Sequence, residues 1–162
     1  MTVRYVTLSE LIYINGTVLD HPAIREGRQQ IRDIALLDAA VARPAQSAFG
    51  EDAFPDLAQK AAVLLHGIAR NHPFADGNKR TATVGALFML RVNGHEVRWD
   101  QPEALTMILR TAEGRCGLEE LAAWLPLSPL PRDSTPEAES DMRLIDEIIA
   151  AQKWLLDALE RQ

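Results

Sequence analysis

A chain of 162 residues, 47% hydrophobic and 25% charged, is long enough to bury a core and short enough that one domain is expected. Its net charge of −6 and pI near 5.2 argue against direct nucleic-acid binding, which calls for a basic face. The one cysteine, Cys116, has no partner for an internal disulfide, no apolar run reaches the length of a membrane span, and the N-terminus lacks a basic-then-apolar leader, so a soluble cytoplasmic protein without a membrane partner is expected.

In chain order, residues 4–7 are short and β-prone, and Ser9 is placed to cap a first helix carrying Leu11, Ile12 and Ile14, with Asn15 and Gly16 as its stop. Residues 20–27 read as a loop around Pro22 and Gly27. A second helix over 32–42 presents Ile34, Leu37, Ala40 and Val41 and ends before Pro44; its Arg32 and Asp33 read as a surface pair. Residues 43–56 are rich in turn formers and carry Phe49 and Phe54, which look exposed. A third helix over 56–71 spaces Leu57, Ala61, Leu64, Leu65 and Ile68 on one face.

The helix over 78–92 is apolar almost all round, which places it at the centre of the bundle; Asn93 and Gly94 close it. Trp99 and Pro102 lead through a short extended turn into a helix over 103–113, and a further helix over 118–125 ends at Pro126. The stretch PLSPLPRDSTP holds four of the nine prolines and reads as a linker. In the last predicted helix, over 137–160, Ile145, Ile148, Ile149, Gln152, Leu155, Leu156 and Leu159 mark one stripe, and six acidic residues against two arginines over 132–147 concentrate the negative charge there. That stripe suits packing on its own domain or on a second copy, a homo-oligomer. The expected organisation is an all-α helical bundle around a central helix in residues 1–126, a proline-rich linker at 127–136, and an added amphipathic helix at 137–162.

The stretch from His72 to Ala82, HPFADGNKRTA, concentrates chemistry at the junction of two long helices. Pro73 breaks the incoming helix and leaves His72 at its exit, Gly77 permits a sharp turn, and a new helix begins near Asn78. A helix N-terminus offers unpaired N–H groups and the positive end of a dipole, which favour an anion. Lys79 and Arg80 in the first turn oppose that dipole by a few tenths to about 1 kcal/mol each unless an anion sits there, and a phosphate chain is the natural one. Asp76 suits a helix cap or an oxygen ligand to Mg2+ beside phosphate. His72, with an ordinary pKa of about 6.5, suits a general base, and Phe74 a packing anchor for the loop. His66 and His72 match no metal-ligand spacing.

His72, Phe74, Asp76, Gly77, Asn78 and Arg80 fall in register with the signature of the Fic/Doc family, which the segment resembles. Lys79 stands where most adenylyl-transferring members have glycine and the Doc (death on curing) branch has lysine. Thr83 stands where the Fic pattern carries a second arginine, a departure that also favours Doc. The segments RYVTLSEL, IRDIALLDAAVARP, FGEDAFPDLAQKAAVLLHGIARN and ALFMLRVNG are similar to a Doc-type domain in the same order, so the resemblance spans about residues 3–126.

The resemblance implies a Fic/Doc-like bundle in which residues 43–56 form a flap that docks the target chain. It implies a toxin of a type II toxin–antitoxin pair, with a cognate antitoxin as partner, moving a phosphate from ATP with Mg2+ to a hydroxyl of a protein such as translation elongation factor Tu. Adenylyl transfer is the alternative, with Lys79 intruding where glycine would leave room; a catalytically silent antitoxin-binding module is a third. In that scheme His72 is the base and Asp76 the Mg2+ ligand, Gly77 and Asn78 cradle the phosphates, Lys79 and Arg80 clamp the transferring group, and Phe74 holds the nucleotide loop. Some Fic proteins carry an inhibitory C-terminal helix, whose motif Thr135, Glu139 and Ser140 partly resemble.

Overall fold

The computed structural model describes residues 2–21, 25, 31–130 and 137–162. Most of the expected loop at 20–27 and residues 131–136 of the expected linker, Thr135 among them, lie outside these. Among the described residues there are eight helices and two two-stranded antiparallel ladders.

Helix α1, Leu8–Val18, is capped by Thr7, two residues before Ser9, because Thr7 and Glu10 form a reciprocal capping box. It also runs through Asn15 and Gly16, both buried. Asn15 does not stop it because its side-chain amide is engaged elsewhere in the fold, as described below. The residues before α1 are extended without being a strand: the Arg4 N–H donates to Asn93 Oδ1 and Asn93 Nδ2 donates back to Arg4 O, each at 2.8 Å, so a side-chain amide replaces a neighbouring strand.

Helix α2, Ile34–Ala42, is capped by Asp33, whose carboxylate accepts from Leu36 N–H. Only Leu37 and Ala40 are buried, and Ile34, expected on the inner face, is 52% exposed. A short 3-10 turn, Arg43–Ala45, leads to a hairpin of β1, Ser47–Ala48, and β2, Glu51–Asp52. Phe49, at its tip, is fully exposed; Phe54 is half-buried under the Arg43 guanidinium. The hairpin is tied to the core by Lys60, whose fully buried Nζ donates to Asp52 Oδ2 at 3.1 Å and lies over the Tyr5 ring.

Helices α3, Leu57–Asn71, and α4, Asn78–Val92, form the most extensive contact in the molecule. Every residue of α4 from Arg80 to Leu90 is buried, and α1, α3 and three later helices pack around it, so it is the central helix. Gly85 lets α1 approach: a Cβ there would lie 3.0 Å from Leu11 Cδ2.

Strand β3, His95–Val97, pairs with β4, Leu127–Pro129, so the first part of the expected linker is a strand. Leu127 and Ser128 join a ladder that uses only one edge of the segment, which lets Pro129 close it at the strand end. Between them lie α5, Gln101–Ala112, and α6, Leu118–Trp124. The C-terminal segment is two helices, α7, Ala138–Ala151, and α8, Lys153–Glu160, where the sequence pattern predicts one. The break has a cause in α5. Gln101 Nε2 donates to Ala151 O at the end of α7, and Gln101 Oε1 accepts from Leu155 N–H in the first turn of α8. One glutamine thus caps both ends, and Trp99 Nε1 holds Gln152 between them at 2.9 Å. The apolar stripe packs on its own domain: Ile145, Ile148, Leu155, Leu156 and Leu159 all join the core, leaving Met142 and Trp154 outside. No helix of the described residues is long and apolar enough to cross a membrane.

Candidate active site

Helix α3 ends at Asn71 as Pro73 requires, and His72 caps it in the left-handed conformation, φ 51° and ψ 58°. A non-glycine residue there costs about 1–3 kcal/mol and persists only when its surroundings fix it. They do so here. Arg32 Nε donates to His72 O at 2.6 Å and its NH2 donates to Asn71 O at 2.7 Å, while the backbone N–H groups of Arg32 and Asp33 both donate to Pro73 O. Arg32 and Asp33, expected to pair with each other on the surface, therefore do separate work: one clamps the loop at His72 and the other caps α2. Phe74 is 1% exposed and forms a bridge to Ile31, anchoring the loop in the core as its size predicts.

The turn from Phe74 to Asn78 is closed by a side chain. Asn78 Oδ1 accepts from Phe74 N–H and Asn78 Nδ2 donates to Phe74 O, each at 2.9 Å. Asn78 was expected in the phosphate cradle; its amide is committed to the loop, and what it offers an anion is its backbone N–H. Gly77 has φ 73°, a conformation glycine adopts without penalty, and a Cβ there would also press on Leu19 and Asn15. Asn15 Nδ2 donates to Asp76 O at 2.9 Å and to Thr81 Oγ1 at 3.1 Å, tying the loop to α1.

The first helical bond of α4 runs from Thr81 N–H to Gly77 O, so the N–H groups of Asn78, Lys79 and Arg80 lie outside the helical ladder. A polar cavity of about 220 Å3 adjoins this helix start, lined by His72, the turn and the first residues of α4 together with Leu159, Glu160 and Gln162. The Asp76 side chain is 71% exposed; its Oδ1 accepts from Gly77 N–H at 2.7 Å, and Arg80 lies 4.0 Å away. Arg80 is 10% exposed, donates to Val18 O at 3.1 Å, and has Glu160 at 3.8 Å. Among the described residues no three His, Cys, Asp or Glu side chains converge to hold a metal. Asp76 alone fits Mg2+ bound in the usual way, through one carboxylate and the oxygens of a phosphate chain.

Desolvation and the charges of Lys79, Arg32 and Arg70 all push the His72 pKa below its ordinary value. The imidazole is then neutral, and able to accept a proton, at neutral pH. A reaction that uses it as base should gain rate as His72 loses its proton and be flat above that point. The acid limb of kcat/KM against pH is therefore expected to have its midpoint below 6.5, and a midpoint above 6.5 would contradict this electrostatic reading.

Three contributors were not visible in the sequence: Asn15, Arg32 and Glu160. Each acts across the fold, on a backbone carbonyl or on Arg80, and none sits at a motif spacing. Glu139 and Ser140, which partly resemble an inhibitory motif, do not reach the site; Glu139 is 80% exposed and lies by Arg143, and Ser140 pairs with Glu137.

The profile of the Fic/DOC family matches residues 5–90, from α1 to nearly the end of α4. The chain belongs to the Fic/DOC family. Within it, the similarity is to Doc toxins. A protein named Toxin Doc from Mycolicibacterium smegmatis is 45% identical over 101 residues, 61% of this chain and 78% of that protein. The Protein kinase doc of Escherichia phage P1 is 30% identical over 119 residues, 74% of this chain and 90% of that protein.

Proposed function

We propose that this protein is a Doc-type toxin, partnered by a cognate antitoxin, that moves the terminal phosphate of ATP to a hydroxyl of a protein target. The observation that carries the reading is one polar cavity that brings His72 together with the N-terminus of α4, Lys79 and Arg80; the lowered pKa of His72 suits the role of base. His72 takes the proton of the acceptor hydroxyl as its oxygen bonds to the terminal phosphorus. The bond from that phosphorus to the bridging oxygen breaks, and ADP leaves with the electron pair. Lys79, Arg80 and the free N–H groups of α4 stabilise the charge on the transferring oxygens, and Asp76 would hold Mg2+ against them. Elongation factor Tu is the target we favour, on the Doc resemblance, and the hairpin with its exposed Phe49 is the surface that would meet it.

Adenylyl transfer would use the same base and the same cavity. Lys79 favours phosphoryl transfer, because its side chain stands in the space that a glycine would leave open. Lys79→Gly is expected to slow phosphorylation by about 10²-fold, in line with removal of one charge-stabilising donor; an unchanged rate would remove the reason for preferring phosphoryl transfer. The toxin reading is tested in cells. Induced expression should arrest growth of a bacterial host, and normal growth at full expression of the wild-type chain would overturn it.

A further inference from the structure

A second cavity, of about 180 Å3, is lined by Arg80, as the first is, and by residues on both sides of the joint between α7 and α8. Val18, Ile149 and Leu156 give it an apolar floor, and Lys153 and Asp157, paired at 2.9 Å, sit at its rim. The two cavities share Arg80 and Glu160, so those two side chains are the partition between them. The partition is loose. Arg80 NH1 and Glu160 Oε1 are 3.8 Å apart, well beyond the roughly 2.7–2.9 Å of a charge-assisted hydrogen bond, and the Glu160 side chain is 61% exposed. Arg80 is held from below by Val18 O, so Glu160 is the member free to turn.

Size and polarity argue that the two belong together. A small-molecule site usually measures about 300–1,000 Å3, and neither cavity reaches that alone, whereas the pair does. A nucleoside triphosphate has a polyanionic end and a flat, weakly polar end joined by a sugar with free hydroxyls. The first cavity is polar and carries Lys79 and Arg80; the second has the apolar floor; a carboxylate stands between them, where it can accept hydrogen bonds from hydroxyls. The residues of α7 and α8 lie beyond the span that the family profile matches, so this half of the site belongs to the C-terminal helices of this chain.

We propose that the two cavities form one nucleotide site, with the phosphates at the N-terminus of α4, the ribose hydroxyls on Glu160, and the base in the cavity at the α7–α8 joint. The inference rests on the reading of the first cavity as a phosphate site. Two substitutions at exposed positions test it by calorimetric binding of Mg-ATP and of Mg-tripolyphosphate, which carries the charge without the nucleoside. Ala150→Trp fills the second cavity from its rim, and Glu160→Ala removes the sugar acceptor; unchanged melting temperatures confirm that both variants fold.

ATP should bind the wild-type protein more tightly than tripolyphosphate, and each variant should weaken ATP by about tenfold or more, Glu160→Ala through the loss of hydrogen bonds to a charged group and Ala150→Trp by occupying the space of the base. Tripolyphosphate should be unaffected by Ala150→Trp, and equal or tighter in Glu160→Ala, where a carboxylate is taken away from the anion. The sign is decisive. If Glu160 only competes with phosphate for Arg80, Glu160→Ala tightens both ligands, and the proposal fails. ATP binding untouched by Ala150→Trp also overturns it, while leaving the phosphate site standing. Binding of neither ligand to the wild-type protein overturns both.

Discussion

Substituting His72 with alanine is expected to lower the rate of group transfer by about 10²–10⁴-fold, the contribution of a positioned general base, while leaving the melting temperature nearly unchanged. The split follows from where the residue sits. Its side chain is exposed and buries little, so its removal opens no cavity, and the loop around it is held through its carbonyl oxygen by Arg32 and through Pro73. Because φ at this position is 51°, His72→Asn is the useful second variant: asparagine accepts the left-handed conformation and cannot act as a base near neutral pH. Both variants should be inactive and folded, and both should relieve growth arrest. Activity in either within a factor of two of wild type would remove His72 from the chemistry.

Phe74→Ala should have the largest effect on stability. The ring is 1% exposed in the main core, and deleting a buried phenylalanine side chain usually costs about 3–5 kcal/mol. At about 2–4 °C per kcal/mol for a chain of this size, the melting temperature should drop by about 10 °C. The loss should also reach the chemistry. Phe74 fixes one end of the turn whose other end is Asn78, and its backbone N–H and C=O are both held by that side chain. With the ring gone, the distance from His72 to the N-terminus of α4 is no longer set by the core. Activity measured well below the new melting temperature should therefore fall by more than the folded fraction explains. A loss of under about 1 kcal/mol would mean that the loop is positioned by Asn78, Asn15 and Arg32 alone.

The helices that carry the site were legible because their limits are written locally. Pro73 stops α3, Gly77 supplies the left-handed turn, and the unbroken apolar run after Asn78 marks the central helix. What escaped the sequence is held by long-range contacts between side chains and backbone. Asn15 reads as a helix stop until its amide is seen on Asp76 and Thr81. Arg32 reads as a surface charge until its guanidinium is seen on two carbonyls about forty residues away. The break at Gln152 has no signal in its own neighbourhood, since the residue that makes it is Gln101. Strand β4 was hidden by Pro129 and the prolines that flank it, Pro126 and Pro131, which read as linker when the partner strand is unknown. Glu160 lies at the end of an amphipathic helix, where a carboxylate is ordinary; only the packing of α8 brings it to Arg80.

The measurement that bears most directly on the central claim is the intact mass of elongation factor Tu after incubation with the purified protein, Mg2+ and ATP, with His72→Ala run beside it. The wild-type protein should add one phosphate to the target, and the variant should add nothing. A mass gain of one adenylyl group, or a phosphate gain that persists in His72→Ala, would contradict it.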